Sequence, residues 1–179
     1  MFKKNERQIF FIKYFIFFLI KINILLSHNV VDGLDIEKFM GRWYVISLIP
    51  NWIEEGATNS YDDYILNDDG TIGITYKAIR NGKIKTIKQK GIIVDENIPS
   101  RWDIQFLKPW VPFYKAPYEV IILDDDYNYM VVGYPDNSFG WIMARETSIK
   151  DAVYNEILNS LQKDFGYDKS FFKKVIHDN

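Results

Sequence analysis

The sequence predicts an all-β fold class: an eight-stranded antiparallel up-and-down β-barrel with one C-terminal α-helix packed outside. Strand-like apolar runs follow one another between residues 43 and 145. The sequences Asn67-Asp68-Asp69-Gly70 and Asn81-Gly82 are typical hairpin turns between such runs. One amphipathic helical pattern follows the last run. A sheet of this length has two unpaired edges, and closure into a barrel removes both of them.

The predicted elements begin with a short helical turn over residues 35–40, which would plug one end of the barrel. Gly41 ends this turn, and a long loop over residues 50–58 separates the first two strands. The eight predicted strands cover residues 43–49, 60–66, 72–79, 84–94, 102–107, 118–123, 129–134 and 140–145. A further short strand is expected over residues 171–176.

The helix is predicted to begin after Ser148, because Ser148 and Asp151 resemble a capping box with Asp in place of Glu. Gly166 is expected to end it. Its apolar residues recur at helical spacing: Val153, Ile157, Leu161 and Phe165. This single stripe predicts a helix that packs against the outside of the barrel wall.

The composition excludes several classes of function. The 179 residues suggest one domain, and the chain has no cysteine, which excludes disulfides, thiolate metal sites and cysteine nucleophiles. His28 and His177 both lie outside the predicted barrel, so neither a metal nor a cofactor is expected inside it. Residues 29–179 carry 17 bases and 23 acids, a net charge of −6, which disfavours nucleic acid as a partner.

Two short motifs lie about a hundred residues apart, Gly41-Arg42-Trp43-Tyr44 before the first strand and Trp141-Ile142-Met143-Ala144-Arg145 at the last. If the first and last strands pair, Trp43 and Arg145 meet at one end of the barrel. A guanidinium over an indole face is worth roughly 0.5–2 kcal/mol. We therefore expect Gly41, Trp43 and Arg145 to have a structural role, with Gly41 permitting the close approach.

These motifs, together with Asp125-Asp126-Tyr127 before the seventh strand, resemble those of the lipocalins. The longer match from residue 35 to about residue 176 resembles the branch of the bacterial outer-membrane lipocalins and apolipoprotein D. The resemblance implies a calyx that binds a small hydrophobic ligand, a fatty acid or a lysophospholipid, and no enzymatic activity. The cysteine of the prostaglandin synthases and the haem-ligating histidine of the nitrophorins cannot be carried over, because the barrel region has neither residue type.

Period-two alternation sorts the strands into two faces and indicates which residues line the calyx. Tyr118 is expected near the open mouth, because Ala116-Pro117-Tyr118 resembles apolipoprotein D. For each aromatic residue, ordinary core packing is the alternative, and the resemblance favours the calyx. The predicted ligand-binding residues are Trp102, Ile104, Phe106, Tyr118, Trp141 and Met143.

Two other functions are alternatives to ligand transport. The apolar loop over residues 108–117 would suit an interaction protein of the cell envelope. Through this loop the protein could associate with a membrane or form a homodimer. Acids such as Asp62-Asp63 would suit a carboxylate-based enzyme. These acids are expected at strand ends and turns, where solvated acids are common, so a positioned catalytic pair is not indicated.

Residues 1–28 predict a signal peptide or N-terminal membrane segment, and residues 29–179 the lipocalin domain. A basic start precedes an apolar run over residues 9–26, a pattern typical of secretion. A buried helix of a cytosolic protein is the alternative without export. Lys13 and Lys21 argue against a spanning helix, at roughly 2.5–3.5 kcal/mol for each lysine near its centre. The expected location is the periplasm or cell envelope, without the lipid-anchor cysteine of the bacterial relatives.

Export is testable by cell fractionation and N-terminal sequencing. We expect a mature protein that begins near residue 28 and washes free of membranes, because the basic start and apolar run direct secretion. An intact Met1 in the membrane fraction would indicate an anchored protein instead. An intact Met1 in the cytosol would contradict export.

Overall fold

A computed structural model describes residues 27–178 as one closed β-barrel with a helix on its outer wall. The chain forms α1 (Ile36–Phe39), β1 (Gly41–Leu48), β2 (Thr58–Leu66), β3 (Ile72–Arg80), β4 (Lys83–Ile93), β5 (Arg101–Lys108), β6 (Ala116–Leu123), β7 (Tyr129–Gly133), β8 (Gly140–Ala144), α2 (Asp151–Asp164), a 3₁₀ turn (Lys169–Phe171) and β9 (Lys173–Lys174). The predicted fold class is confirmed.

Each strand pairs antiparallel with its neighbour in sequence, and β1 pairs with both β2 and β8. The closing registers place Tyr44 opposite Ala144 of β8 and opposite Tyr61 of β2. The barrel wall therefore has no free edge along β1. The predicted last strand is reduced to two residues, which pair with Ser47 and Leu48, because the preceding residues form the 3₁₀ turn.

The short helix α1 closes one end of the barrel, as the sequence predicts. Asp35 caps it by accepting a hydrogen bond from the Lys38 backbone N–H at 3.1 Å. Phe39, its last residue, is fully buried in the barrel interior. This end is called the base below, and the opposite end, where the β1–β2, β3–β4, β5–β6 and β7–β8 connections lie, is called the mouth.

The wall separates two apolar clusters, one inside the barrel and one between the wall and α2. Alternate residues of β7 and β8 face the two sides, so Met143 belongs to the inner cluster and Ile142 to the outer one. A register shift in β1 between Val45 and Ser47 turns Ser47 outward, where its Oγ accepts a hydrogen bond from Tyr154 at 3.0 Å.

The helix α2 begins later than predicted. Lys150 is its N-cap, without a side-chain cap, and the expected capping box from Ser148 is wrong. Asp151 is instead the first helical residue, where its charge favours the positive end of the helix dipole. The residues that α2 buries are Tyr154, Ile157 and Leu161. Within residues 27–178, no helix combines the length and the apolarity that crossing a bilayer requires. The predicted export segment, apart from Ser27 and His28, lies outside the described residues.

Candidate ligand-binding site

The base is sealed by the predicted contact between Arg145 and Trp43. The guanidinium carbon lies 3.8 Å from the centre of the indole ring. Arg145 also donates hydrogen bonds to the carbonyl oxygens of Lys38 at 2.7 Å and Arg42 at 2.9 Å, while the Trp43 indole N–H donates to Phe39 at 2.8 Å. One cation thereby joins α1, β1 and the end of β8. The structural role of this pair remains a prediction.

Gly41 lies directly beneath this contact. Its φ of +95° is in the left-handed region, and a Cβ on it would lie 3.3 Å from Nη1 of Arg145. A larger residue would therefore strain the backbone and displace the guanidinium. That glycine is required here for the close approach stays a prediction.

Above the base lies a layer of packed aromatic rings. Trp102 is 1% exposed and stacks on Tyr118, with ring centres 4.7 Å apart and planes 3° from parallel. The hydroxyls of Tyr118 and Tyr64 are hydrogen-bonded at 2.9 Å. The expected mouth position of Tyr118 is wrong, because β6 begins at Ala116 and its register pairs Tyr118 with Trp102, near the base.

The other predicted ligand-binding residues divide by burial. Ile104 and Met143 are buried members of the inner cluster. Trp141 and Phe106 are only partly buried, and the register pairs Phe106 with Gln89, closer to the mouth. The structure therefore places all six predicted residues on the inner face, and leaves Phe106, Tyr118 and Trp141 partly exposed.

Two acids that the sequence interpretation did not assign to the site also face this interior. Glu54, in the loop between β1 and β2, accepts hydrogen bonds at Oε2 from the Trp141 indole N–H at 2.9 Å and from the Asn51 amide at 2.5 Å. Burial raises the pKa of Glu54, and these two donors lower it in part. No periodic pattern marks a loop residue, so the sequence offered no signal for Glu54.

Asp62 is the second interior acid, and its expected place among solvated acids is wrong. It lies in the middle of β2, on the same face as the buried Tyr64 and opposite Trp43 of β1. Its neighbour Asp63 faces outward and pairs with Arg42 at 2.8 Å. Burial raises the pKa of Asp62 well above its usual range, and the charges of Glu54 and Asp63 raise it further. The alternation of β2 would have identified Asp62.

Hydroxyl groups surround these acids. Tyr76 pairs with Asp62 across β2 and β3, and burial raises its pKa, as do the charges of Glu54 and Asp62. Among residues 27–178, neither the Tyr76 hydroxyl nor that of the fully buried Ser60 has a hydrogen-bond partner. We call these groups the interior polar cluster: Glu54, Ser60, Asp62, Tyr64, Tyr76 and Tyr118.

The mouth carries exposed apolar side chains, including those of the predicted apolar loop. Trp52 of the β1–β2 loop, Ile84 of the β3–β4 hairpin, and Trp110 and Phe113 of the β5–β6 loop are all exposed. The barrel is thus sealed by aromatic packing at one end and ringed by apolar residues at the other.

Ser27 and His28, the first residues that the structure describes, pack on the outer wall of the barrel. The Ser27 hydroxyl donates to Glu119 at 2.8 Å, and Nδ1 of His28 lies 2.8 Å from the same carboxyl group. Burial would raise the pKa of Glu119, but the hydrogen bonds from His28 and Ser27 together lower it. The His28 ring also stacks on Tyr167 at 5.5 Å. These two residues, which the sequence prediction assigned to the export segment, contact the barrel.

Within residues 27–178, no group of three or more His, Asp and Glu side chains is arranged to hold a metal ion. The arrangement is that of a barrel with a closed base and with inward side chains that stay partly exposed above it. The model of the lipocalin-like domain family matches residues 34–177, almost the whole described chain. The chain is a lipocalin. Family membership supports the binding of a small hydrophobic ligand rather than catalysis.

The similarity of this lipocalin to characterised relatives extends over most of its length. Temperature-induced lipocalin-1 of Arabidopsis thaliana is 29% identical over 152 residues, which cover 82% of this chain and 81% of the relative. The outer membrane lipoprotein Blc of Escherichia coli K12 is 29% identical over 144 residues, covering 80% of each chain. Mouse apolipoprotein D also matches. The predicted family and branch are confirmed.

Solved structures show the same fold. Insecticyanin from Manduca sexta superposes with a TM-score of 0.67 over 86% of each chain, at 18% sequence identity. At this identity the similarity concerns the barrel and its helix, and not the ligand.

The sealed base leads to a prediction about stability. We expect Arg145→Ala to lower the free energy of unfolding by roughly 2–4 kcal/mol, because the cation–π contact and hydrogen bonds from a charged donor are lost together. Arg42→Ala is the control, since it removes an exposed ion pair worth about 0–1 kcal/mol. Urea denaturation followed by circular dichroism measures both. An Arg145→Ala protein as stable as the wild type would contradict a structural role.

Proposed function

We propose that this lipocalin binds one small hydrophobic or amphipathic molecule inside the barrel and carries it in the cell envelope, in lipid storage or maintenance. Fatty acids and lysophospholipids are the ligand classes that the family resemblance implies. One observation carries the proposal. On the inner wall above the sealed base, three inward-facing rings stay partly exposed: Phe106, Tyr118 and Trp141.

The energetics of apolar burial support this function. An acyl chain gains about 0.8 kcal/mol for each buried methylene, so a fourteen-carbon tail gains roughly 10 kcal/mol before association costs. After the loss of translational and rotational freedom, this suffices for roughly micromolar affinity or better. An apolar wall closed at one end therefore gives enough affinity for an acyl chain without a large set of polar contacts.

The proposed location in the envelope has separate support. A relative that is 29% identical bears the name outer membrane lipoprotein. The N-terminal sequence has a basic start followed by an apolar run. Cleavage of this segment, periplasmic location and assembly as a homodimer remain parts of the proposal without a direct observation.

A second function is favoured by the exposed apolar mouth. Contact of the mouth with a membrane would let a lipid enter the barrel without crossing water, and amphipathic aromatic rings are well suited to the membrane interface. The exposed side chains of Trp52, Trp110 and Phe113 are the observation behind it.

A carboxylate-based enzyme is not proposed, because the Glu54 carboxylate accepts hydrogen bonds from Asn51 and Trp141.

Ligand binding is tested directly on the purified protein. Native mass spectrometry and organic extraction identify any co-purified molecule, and calorimetric titration follows with a fatty acid, a lysophospholipid and an uncharged long-chain alcohol. Binding of at least one of these with one-to-one stoichiometry supports the proposal. Failure of all three to bind the delipidated, folded protein would overturn it.

Two inward tryptophans are expected to contribute differently to binding. We expect Trp141→Ala to weaken binding roughly tenfold, because a partly exposed inward ring contributes apolar contact at about 1.4 kcal/mol for each factor of ten. Trp102→Ala should also weaken binding, at a cost in stability of roughly 3–5 kcal/mol since its ring is packed against Phe39.

The control for both variants is Phe171→Ala, which removes an exposed aromatic ring outside the barrel. Affinities are measured by calorimetry, and circular dichroism shows whether each variant is folded. If both tryptophan variants fold and bind like the wild type, the assignment of the inner wall as the ligand site is wrong.

Membrane contact by the mouth has its own test. We expect the double variant Trp110→Ser, Phe113→Ser to sediment with phosphatidylcholine vesicles several-fold less than the wild type, because both exposed rings lose their interfacial contact. Phe171→Ser controls for the loss of an exposed ring elsewhere. Equal sedimentation of all three proteins would contradict contact through the mouth.

A further inference from the structure

We propose that the interior polar cluster selects ligands whose polar end is a cation, a protonated amine on an apolar tail, over fatty-acid carboxylates of equal length. The inference rests on the proposed function, because it names the ligand class of the same cavity. It changes the expectation that a fatty acid is the preferred occupant.

Asp62 is the central group. It faces the interior from the middle of β2, between Trp43 of β1 and Tyr76 of β3 in the cross-strand registers. Within residues 27–178 no hydrogen bond or ion pair involves its carboxylate, and the residue is only partly buried. Asp63, one residue further on, is fully engaged outside the barrel by the bidentate Arg42 guanidinium at 2.8 and 3.1 Å. The two adjacent acids therefore differ: Asp63 forms an ion pair on the outside of the barrel, and Asp62 has no such pair within residues 27–178.

Glu54 provides a second carboxyl group near Asp62. Both of its donors, Asn51 and Trp141, bind Oε2, which leaves Oε1 without a donor among the described residues. Asp62 and Tyr76 lie opposite each other in the register of β2 and β3, and the charge of Glu54 raises the pKa of both. Two carboxyl groups in a desolvated interior repel each other, and a cation between them would relieve that repulsion.

An independent observation comes from the neighbouring hydroxyls. Tyr76 is 6% exposed and Ser60 is 0% exposed, and neither hydroxyl forms a hydrogen bond of ordinary geometry within residues 27–178, although Ser60 lies close enough to lower the pKa of Tyr76. Buried polar groups are nearly always hydrogen-bonded, so unpartnered hydroxyls beside an unpartnered carboxylate indicate a site that a ligand completes. An ammonium group has three N–H donors and no acceptor, which suits a cluster of acceptor oxygens.

The cations near the cluster are already engaged elsewhere. Arg145 lies beneath Trp43 and donates to backbone carbonyls of α1 and β1. Arg80 donates to the carbonyl oxygens of Trp52 and Ile53 at the mouth. A ligand carboxylate would therefore meet like charge, whereas a cation would meet opposite charge and the faces of tyrosine rings.

The positions of these groups also set the orientation of the ligand. Asp62 pairs with Trp43, whose ring seals the base, while the exposed apolar residues ring the mouth. The charged end of the ligand would therefore lie deep in the barrel, with its tail against Trp141 and Phe106 and directed towards the mouth.

The preference for a cation should depend on pH. Burial and mutual repulsion raise the pKa of both Glu54 and Asp62, while Tyr64, Tyr76 and Tyr118 stay neutral because burial raises their pKa values as well. Asp63, Arg80 and Arg145 are other charged groups whose fields reach the cluster. As the pH falls through the raised carboxyl pKa values, the acids become protonated and the attraction for a cation is lost. As the pH rises again, it returns.

The test compares three probes of equal chain length: dodecylammonium, dodecanol and dodecanoate. In calorimetric titrations below their micelle concentrations, at about pH 8, the amine stays protonated and the acid ionised. We expect dodecylammonium to bind roughly tenfold more tightly than dodecanol, and dodecanoate to bind more weakly than both. Asp62→Asn should reduce the affinity for the amine roughly tenfold, to that of the alcohol, without changing the affinity for the alcohol. Asp63→Asn is the matched control and should keep the order of the three affinities, because its carboxyl group pairs with Arg42 outside the barrel.

Several outcomes would overturn the proposal. Dodecanoate binding as tightly as dodecylammonium would do so, and so would an Asp62→Asn protein with the preference of the wild type. A pH series on the wild type provides a readout without any variant: an amine affinity that does not fall as the pH is lowered through the raised carboxyl pKa values also contradicts it. If dodecanol binds and only the preference is absent, the proposed function survives, whereas the failure of every probe to bind removes both.

Discussion

The contact of the Arg145 guanidinium with the Trp43 indole closes the base, and we expect the stability of the barrel to depend on it. It lies where α1, β1 and β8 meet, and its hydrogen bonds go to backbone carbonyls that would otherwise be left without donors at the base. Because one end of the cavity is thereby filled with side chains, a ligand has access only from the other.

The interior above the base combines two incompatible demands. Close packing is satisfied by the rings of Phe39, Trp43 and Trp102, which leave no space for a ligand. Asp62 and Tyr76, which lie opposite each other across β2 and β3, add polar groups to this interior, and the Tyr76 hydroxyl is buried without a hydrogen bond of ordinary geometry within residues 27–178. A carboxyl whose pKa is raised by folding favours the folded state at low pH, and this contribution is lost as the pH rises through the raised value. The empty protein is thus less stable at neutral pH than a fully apolar barrel would be.

The sequence predicted the strands better than it predicted the site. Hairpin signals such as Asn81-Gly82 and period-two alternation are local, and they located all eight strands of the barrel. The depth of Tyr118 depends on the register between β5 and β6, which only tertiary pairing determines. Asp62 could have been assigned from the alternation of β2. Glu54 could not, because it reaches the inner wall from an irregular loop.

The pairing of the first strand with the last has a consequence for the order of events during synthesis. Tyr44 pairs with Ala144, and Arg145 bonds to carbonyls that precede it by more than a hundred residues. A nascent chain with only its first seven strands outside the ribosome therefore has a sheet with two unpaired edges. Such edges can pair with other chains. Contacts of such long range also form slowly, since loop closure precedes the stabilising interactions. The barrel therefore stays open until β8 has been synthesised, and a chaperone that meets the nascent chain would meet these edges.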